Sequence, residues 1–129
     1  MLPLTIKIPN NDLFNNIDDV YSAMEIRNVS VRTNLEKCVK RCRNFIEECY
    51  RHGFYILNYC VERDNYFAVQ YLLELKEVRE KIEQTDEEGR TPLKLAVFNK
   101  NSTMAKLLIY NNAKITGDVL PSIFKLKDW

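Results

Sequence analysis

The sequence predicts an all-α fold, built as a stack of helical hairpins. The stretch from Asp86 to Thr116 alternates a turn, a short helix, a tight loop and an antiparallel second helix. The same spacing of apolar positions stands 36 residues upstream, in weaker form. With three glycines and four prolines, the composition favours helices joined by short loops over a turn-rich β fold.

Composition bounds the rest. At 129 residues the chain is long enough for one continuous core and reads as a single domain. Hydrophobic residues make up 46% and charged ones 29%, and the formal charge of +1 gives no global pull toward nucleic acid or a membrane. No run approaches the roughly 18 apolar residues of a membrane span. The start, MLPLTIKIPNNDLF, lacks the basic-then-apolar pattern of a secretion signal. Four cysteines without such a signal are expected to be reduced thiols, in the cytosol or nucleus.

Taken in order, residues 1–16 read as an extended lead, with Leu4, Ile6 and Ile8 alternating between Pro3 and Pro9. Ile17 to Arg27 forms a short helix, with Asp18 and Asp19 complementing the dipole at its start. Thr33 to His52 predicts one long helix. Thr33 and Glu36 have the spacing of a capping box, and Leu35, Cys38, Cys42, Phe45, Ile46 and Cys49 recur at helical spacing until Gly53. These first 52 residues form a helical N-terminal cap.

Laying Gly53 on Gly89 places Leu57 on Leu93, Cys60 on Ala96, Tyr71 on Leu107 and Leu72 on Leu108. The surplus length falls in LKEVREKIEQ, before the next turn. In the clearer unit, Gly89 supplies a residue free to take positive φ. Thr91 caps a helix with Pro92 in its first turn, where no backbone donor is lost. Leu93, Ala96 and Val97 share a face, Met104, Leu107 and Leu108 form the second stripe, and Asn112 stands at the left-handed exit. Ile82 and Ile115 precede successive turns. Beyond Gly117, the segment VLPSIFKLKDW offers Val119, Leu120, Ile123 and Phe124 as the apolar face of a C-terminal capping half-repeat.

The pattern Asp86, Gly89, Thr91, Pro92, Leu93, Ala96, Leu107, Leu108 and Ala113 resembles the ankyrin repeat, whose period is about 33 residues. One clear repeat covers 86–116 and a degenerate one about 50–82, so two ankyrin-like repeats occupy 53–116, with 117–129 as the C-terminal cap. Lys94 replaces the usual histidine and Asn112 the usual glycine, while Ile82 and Ile115 stand where the family has the β-branched residue that packs the finger-like turn. The resemblance implies an ankyrin-type stack that recognises another protein through its finger-like turns and the exposed face of its first helices. By position this designates Glu87, Glu88, Arg90, Phe98 and Asn99 in the clear repeat, and Phe54, Glu62 and Arg63 in the degenerate one.

Other groups invite chemistry and have plainer readings. Cys38, Cys42, Cys49 and His52 share a helical face, but Cys49 lies about 10 Å beyond Cys42 along the axis, too far for one tetrahedral zinc. Cysteines mixed with Leu35 and Phe45 read as small buried hydrophobes. A nucleophilic Cys49 activated by His52 conflicts with an apolar face, which makes a thiol inert. Arg32, Lys37, Lys40, Arg41 and Arg43, with Arg27, face Glu36 alone. Either they form a solvated helix face or they dock an acidic ligand or nucleic acid. No aromatic residue interleaves them to stack on bases.

No nucleophile elbow, phosphate-binding glycine loop or paired Cys-x-x-Cys is present. The sequence therefore predicts a non-catalytic protein-interaction module without cofactor or metal. Its alternative is a binder of nucleic acid or an acidic ligand through the basic helix 32–43. Its Asn-, Ile- and Tyr-rich flavour is similar to that of small ankyrin proteins in host-modulating sets of viruses and intracellular microbes.

Overall fold

The computed structural model describes residues 24–41, 43–51 and 53–126. The extended lead and most of the helix expected at Ile17 to Arg27 lie outside them, although Met24 and Glu25 are helical. Within the described residues the elements are α1 (Ser30–Arg41), α2 (Phe45–Arg51), α3 (Ile56–Glu62), α4 (Tyr66–Leu72), α5 (Lys76–Arg79), α6 (Pro92–Phe98), α7 (Ser102–Tyr110) and α8 (Leu120–Ile123), with no strand.

The hairpin α3–α4 recurs as α6–α7 with the 36-residue offset, and its punctuation recurs with it. Gly53 and Gly89 take φ of 80° and 78°, a conformation in which a Cβ is disfavoured. Asp64 and Lys100, between the paired helices, sit at φ 57° and 58°. The next residue in each unit caps the second helix: Asn65 accepts from the Ala68 N–H and Asn101 from the Met104 N–H. Thr91 caps α6 by accepting from the Lys94 N–H at 3.2 Å, and Pro92 opens that helix. Asn112 takes φ 75° after α7. Local turn chemistry, repeated at a fixed interval, thus sets the two hairpins in the same shape.

Neither hairpin could bury its apolar side alone. Here α3 packs against α6, with Leu57 and Leu93 both buried between hairpins. α4 packs on α3 and α1, and α7 on α6. Ala68, Val69 and Leu72 from α4, and Met104, Ala105 and Leu108 from α7, complete one continuous core. The surplus segment forms α5, which packs on α2 and buries Val78, while the Arg79 guanidinium donates to the carbonyls of Leu73 and Glu74.

Three expectations are corrected. The long helix from Thr33 to His52 is two helices. α1 starts at Ser30, after Asn28 accepts from the Ser30 N–H, so Thr33 and Glu36 lie inside the helix rather than in a capping box. The chain turns after Arg41, and α2 runs from Phe45. The apolar stripe continues across the break, but its two parts serve different neighbours. Val31, Leu35 and Cys38 are buried from α1, which meets α4, whereas Phe45, Ile46 and Cys49 are buried from α2, which meets α3 and α5. A straight helix of that length, about 30 Å, could not turn one face toward both.

At the C-terminus, the buried residues are Val119, Ile123 and Leu126, while Leu120 and Phe124 are exposed, Phe124 at 78%. The i, i+4, i+7 spacing selects the face that meets α6. Finally, Ile82 is buried as expected, but Ile115 is exposed, because no further described hairpin covers it.

Candidate groove between the finger turns

The residues after Gly53 and after Asp86 form two turns that flank the exposed side of α3. Between them lies a groove of about 420 Å³, lined by Gly53, Phe54, Tyr55, Asn58, Tyr59, Glu62, Asp86, Glu87, Glu88 and Arg90. Both hairpins contribute to it, so the groove exists only because the hairpins are stacked.

Asp86 organises the second turn. Its Oδ1 accepts from the N–H groups of Glu88 and Arg90, both at 2.9 Å, and its Oδ2 accepts from the Arg90 guanidinium at 2.9 Å. Burial alone would raise its pKa, but these three donors hold the carboxyl below its ordinary value. Arg90 also pairs with Glu88 at 2.7 Å and Glu62 at 3.4 Å. One guanidinium therefore gathers three carboxylates from two hairpins, and Glu87 adds a fourth on the rim. The groove carries a net negative charge.

Asn58 lies under this wall, 3% exposed. Its Nδ2 donates to the carbonyls of Gln84 at 2.9 Å and Arg90 at 3.0 Å. Two carbonyl acceptors require the amide nitrogen on that side, which leaves Oδ1 buried and without a partner. Tyr59 packs edge-on against Phe54 at 5.4 Å, and its hydroxyl donates to Glu25 at 2.9 Å.

The expected contact residues divide in this setting. Glu87, Glu88, Arg90 and Glu62 come together in the groove. Phe54 lines it but is 2% exposed, so it is a core residue and not a protruding anchor; its ring is held by Tyr59. Arg63 is engaged elsewhere, 2.7 Å from Glu25 and 5.1 Å over the Tyr59 ring. Asn99 donates to the Glu62 carbonyl at 3.2 Å, joining the hairpins. Phe98 is half exposed outside the groove, with the Lys94 ammonium 5.7 Å from its ring. It lines a second concavity of about 610 Å³ with Lys100, Lys125 and Leu126, between α6 and the segment that follows α8. Lys94, at the position of the family's histidine, reaches Asp118 at 2.9 Å and ties α6 to the C-terminal segment.

Sequence reasoning missed Asn58, Tyr55 and Tyr59. A signal existed for Asn58, since the 36-residue offset lays it on Lys94 and it is a lone amide in the otherwise apolar run ILNYCV.

The basic segment is not one continuous helical patch. Arg32 is bound to Glu74 through both terminal guanidinium nitrogens, at 2.6 Å for the longer bond, and lies 5.1 Å over the Tyr71 ring. Lys37, Lys40 and Arg41 are exposed on α1, the last two in the final turn where cations complement the dipole. Arg43 lies in the turn beyond the helix. Cys38, Cys49 and Cys60 are buried, and burial pushes the thiols of Cys38 and Cys60 up, that of Cys60 to about 12. Such thiols are poor nucleophiles. Cys42 and His52 lie outside the described residues. Among the described residues no three His, Cys, Asp or Glu side chains are placed to hold a metal, and no helix is long and apolar enough to cross a membrane.

A family model described as ankyrin repeats, in three copies, matches residues 26–118. That match begins well upstream of Gly53 and takes in α1 and α2. Comparison with curated proteins and with solved structures returns no match.

Proposed function

The chain belongs to the ankyrin-repeat family, and from that premise we propose that it binds a partner protein in the groove between its finger turns. Ankyrin repeats are in general protein-interaction modules and typically non-catalytic. The observation that carries the reading is the groove itself, whose wall draws Tyr55, Tyr59 and Glu62 from one hairpin and Glu87, Glu88 and Arg90 from the next. A partner seated there reads both hairpins at once. In this reading the first 52 residues cap one end of the stack and 117–129 the other. A viral or intracellular microbial source, suggested by composition, would place the partner among host proteins.

Site-specific photocrosslinking tests the surface. A photoreactive residue at position 87 is expected to capture a defined cellular protein, competed by excess unlabelled chain. The same residue at position 40, on α1, is expected not to. Specific capture from position 40 alone would reject the groove and favour the basic helix.

A further inference from the structure

The second concavity carries chemistry that the finger turns do not use. It encloses about 610 Å³, within the range of sites that hold a few side chains. Local structure puts each wall in place. α6 ends at Phe98, and Lys100 at φ 58° turns the chain so that α7 begins at Ser102. On the facing side α8 packs on α6, with Val119 and Ile123 buried, and carries Ser122, Lys125 and Leu126 to the opposite wall.

The lining sorts into an apolar floor and a cationic rim. Val97 and Leu126 are buried, while the Phe98 ring is 52% exposed and leaves half its apolar surface for a ligand to cover. Two lysines line the concavity and no carboxylate does. Among the described residues no carboxylate pairs with Lys100 or Lys125. Lys94, 5.7 Å from the Phe98 ring, is already neutralised by Asp118 at 2.9 Å. The finger-turn groove is the reverse, with four carboxylates around one guanidinium.

Charge selects the occupant. Two uncompensated cations beside an apolar floor complement carboxylates that flank an apolar side chain, and the Ser122 hydroxyl adds a donor. A cationic segment would be repelled. A nucleic-acid strand carries a phosphate at each nucleotide and needs a continuous cationic track. Asp118 on Lys94, and Asp64 beside Asn101 at 3.1 Å, interrupt any such track.

We propose that this concavity receives an acidic segment of a partner protein, with one apolar side chain over Phe98 and flanking carboxylates on Lys100 and Lys125. It is a second surface, independent of the groove between the finger turns.

The test uses the whole chain and a fluorescein-labelled probe, Gly-Ser-Asp-Glu-Phe-Glu-Asp-Ser-Gly. One control peptide carries asparagine and glutamine in place of the acids, and another carries alanine in place of phenylalanine. Fluorescence anisotropy is expected to show binding that weakens about tenfold with either control. The same loss is expected for K100N/K125Q, in which asparagine suits the left-handed position, and for F98A, each with unchanged helical circular dichroism. E62Q/E87Q/E88Q, altered at the finger turns, is expected to lose no affinity. In a ¹H–¹⁵N spectrum the amides of Phe98, Lys100, Ser122 and Lys125 are expected to shift. Absence of binding, equal binding of the neutral peptide, or shifts confined to α1 would each overturn the proposal. So would an oligothymidylate that binds more tightly than the peptide and is lost with K100N/K125Q, which assigns the face to nucleic acid. A dimer in sedimentation velocity, abolished both by K100N/K125Q and by E87Q/E88Q, would overturn it in favour of a second copy of this chain.

Discussion

Asn58 donates to the Arg90 carbonyl across 3.0 Å, so the first helix of one hairpin grips the finger turn of the next. A second bond to Gln84 completes the grip. Asn58→Ala strands the Gln84 carbonyl and leaves the Arg90 carbonyl with the Asp86 N–H alone. A loss of about 1–3 kcal/mol is expected, read as a lower urea midpoint with unchanged slope. An unmoved midpoint would show that the turns are held without this side chain.

The left-handed positions make opposite predictions for opposite substitutions. Gly89→Ala meets no steric obstacle, since nothing lies within 4 Å of the added carbon, but the backbone at φ 78° is strained by any Cβ. It should cost about 1 kcal/mol. Lys100→Gly, at φ 58°, should relieve the equivalent strain and stabilise by up to about 1 kcal/mol. Thermal unfolding of both variants checks the signs.

Acid should loosen the second finger turn. The Asp86 pKa lies below its ordinary 3.8 in the folded chain. A depressed folded value means that the unfolded chain takes up protons first as pH falls. The contribution of Asp86 is therefore complete above that ordinary value and is lost as pH drops through the folded one. Asp86→Asn is expected to be less stable at pH 7 yet to lose less of its remaining stability between pH 5 and pH 3. Parallel pH profiles for variant and wild type would remove Asp86 as the source.

At the C-terminal end, Leu126 and Phe124 exchange the roles their hydrophobicity suggests. Leu126→Ala should destabilise by about 2 kcal/mol, because a buried side chain is truncated. Phe124→Ala should change stability by no more than about 0.5 kcal/mol, since the ring is largely in solvent. Chemical denaturation of the two variants distinguishes them.

Much of the fold was legible because it is written in short-range chemistry. Gly89, Thr91, Pro92 and Asn112 each declare a backbone conformation, and all four adopt it. The 36-residue offset was readable from apolar positions even where Phe54, Tyr55 and Ile56 hide the turn motif. What could not be read was set by neighbours. The stripe through Leu35, Cys38, Phe45 and Cys49 keeps helical period across a break that only the packing of α2 on α3 and α5 explains. Phe54 sits one residue after a turn glycine in either reading, and only its place in the packed core, with the Tyr59 ring against it, shows that it is covered. The groove's carboxylates were visible in sequence, but their convergence on Arg90 depends on hairpin-to-hairpin spacing.

The stack also sets how the molecule comes apart. α1 meets α4, α3 meets α6, and α8 meets α6, so cohesion passes from each layer to the adjoining one. Residues near the middle, such as Leu57, Leu72 and Ala96, are screened on both sides, whereas the four-residue α8 has support on one. Amide exchange should therefore run as a gradient, fastest in the C-terminal turn and slowest in α3 and α6. The groove has its floor on α3, so its shape is expected to persist while α8 exchanges.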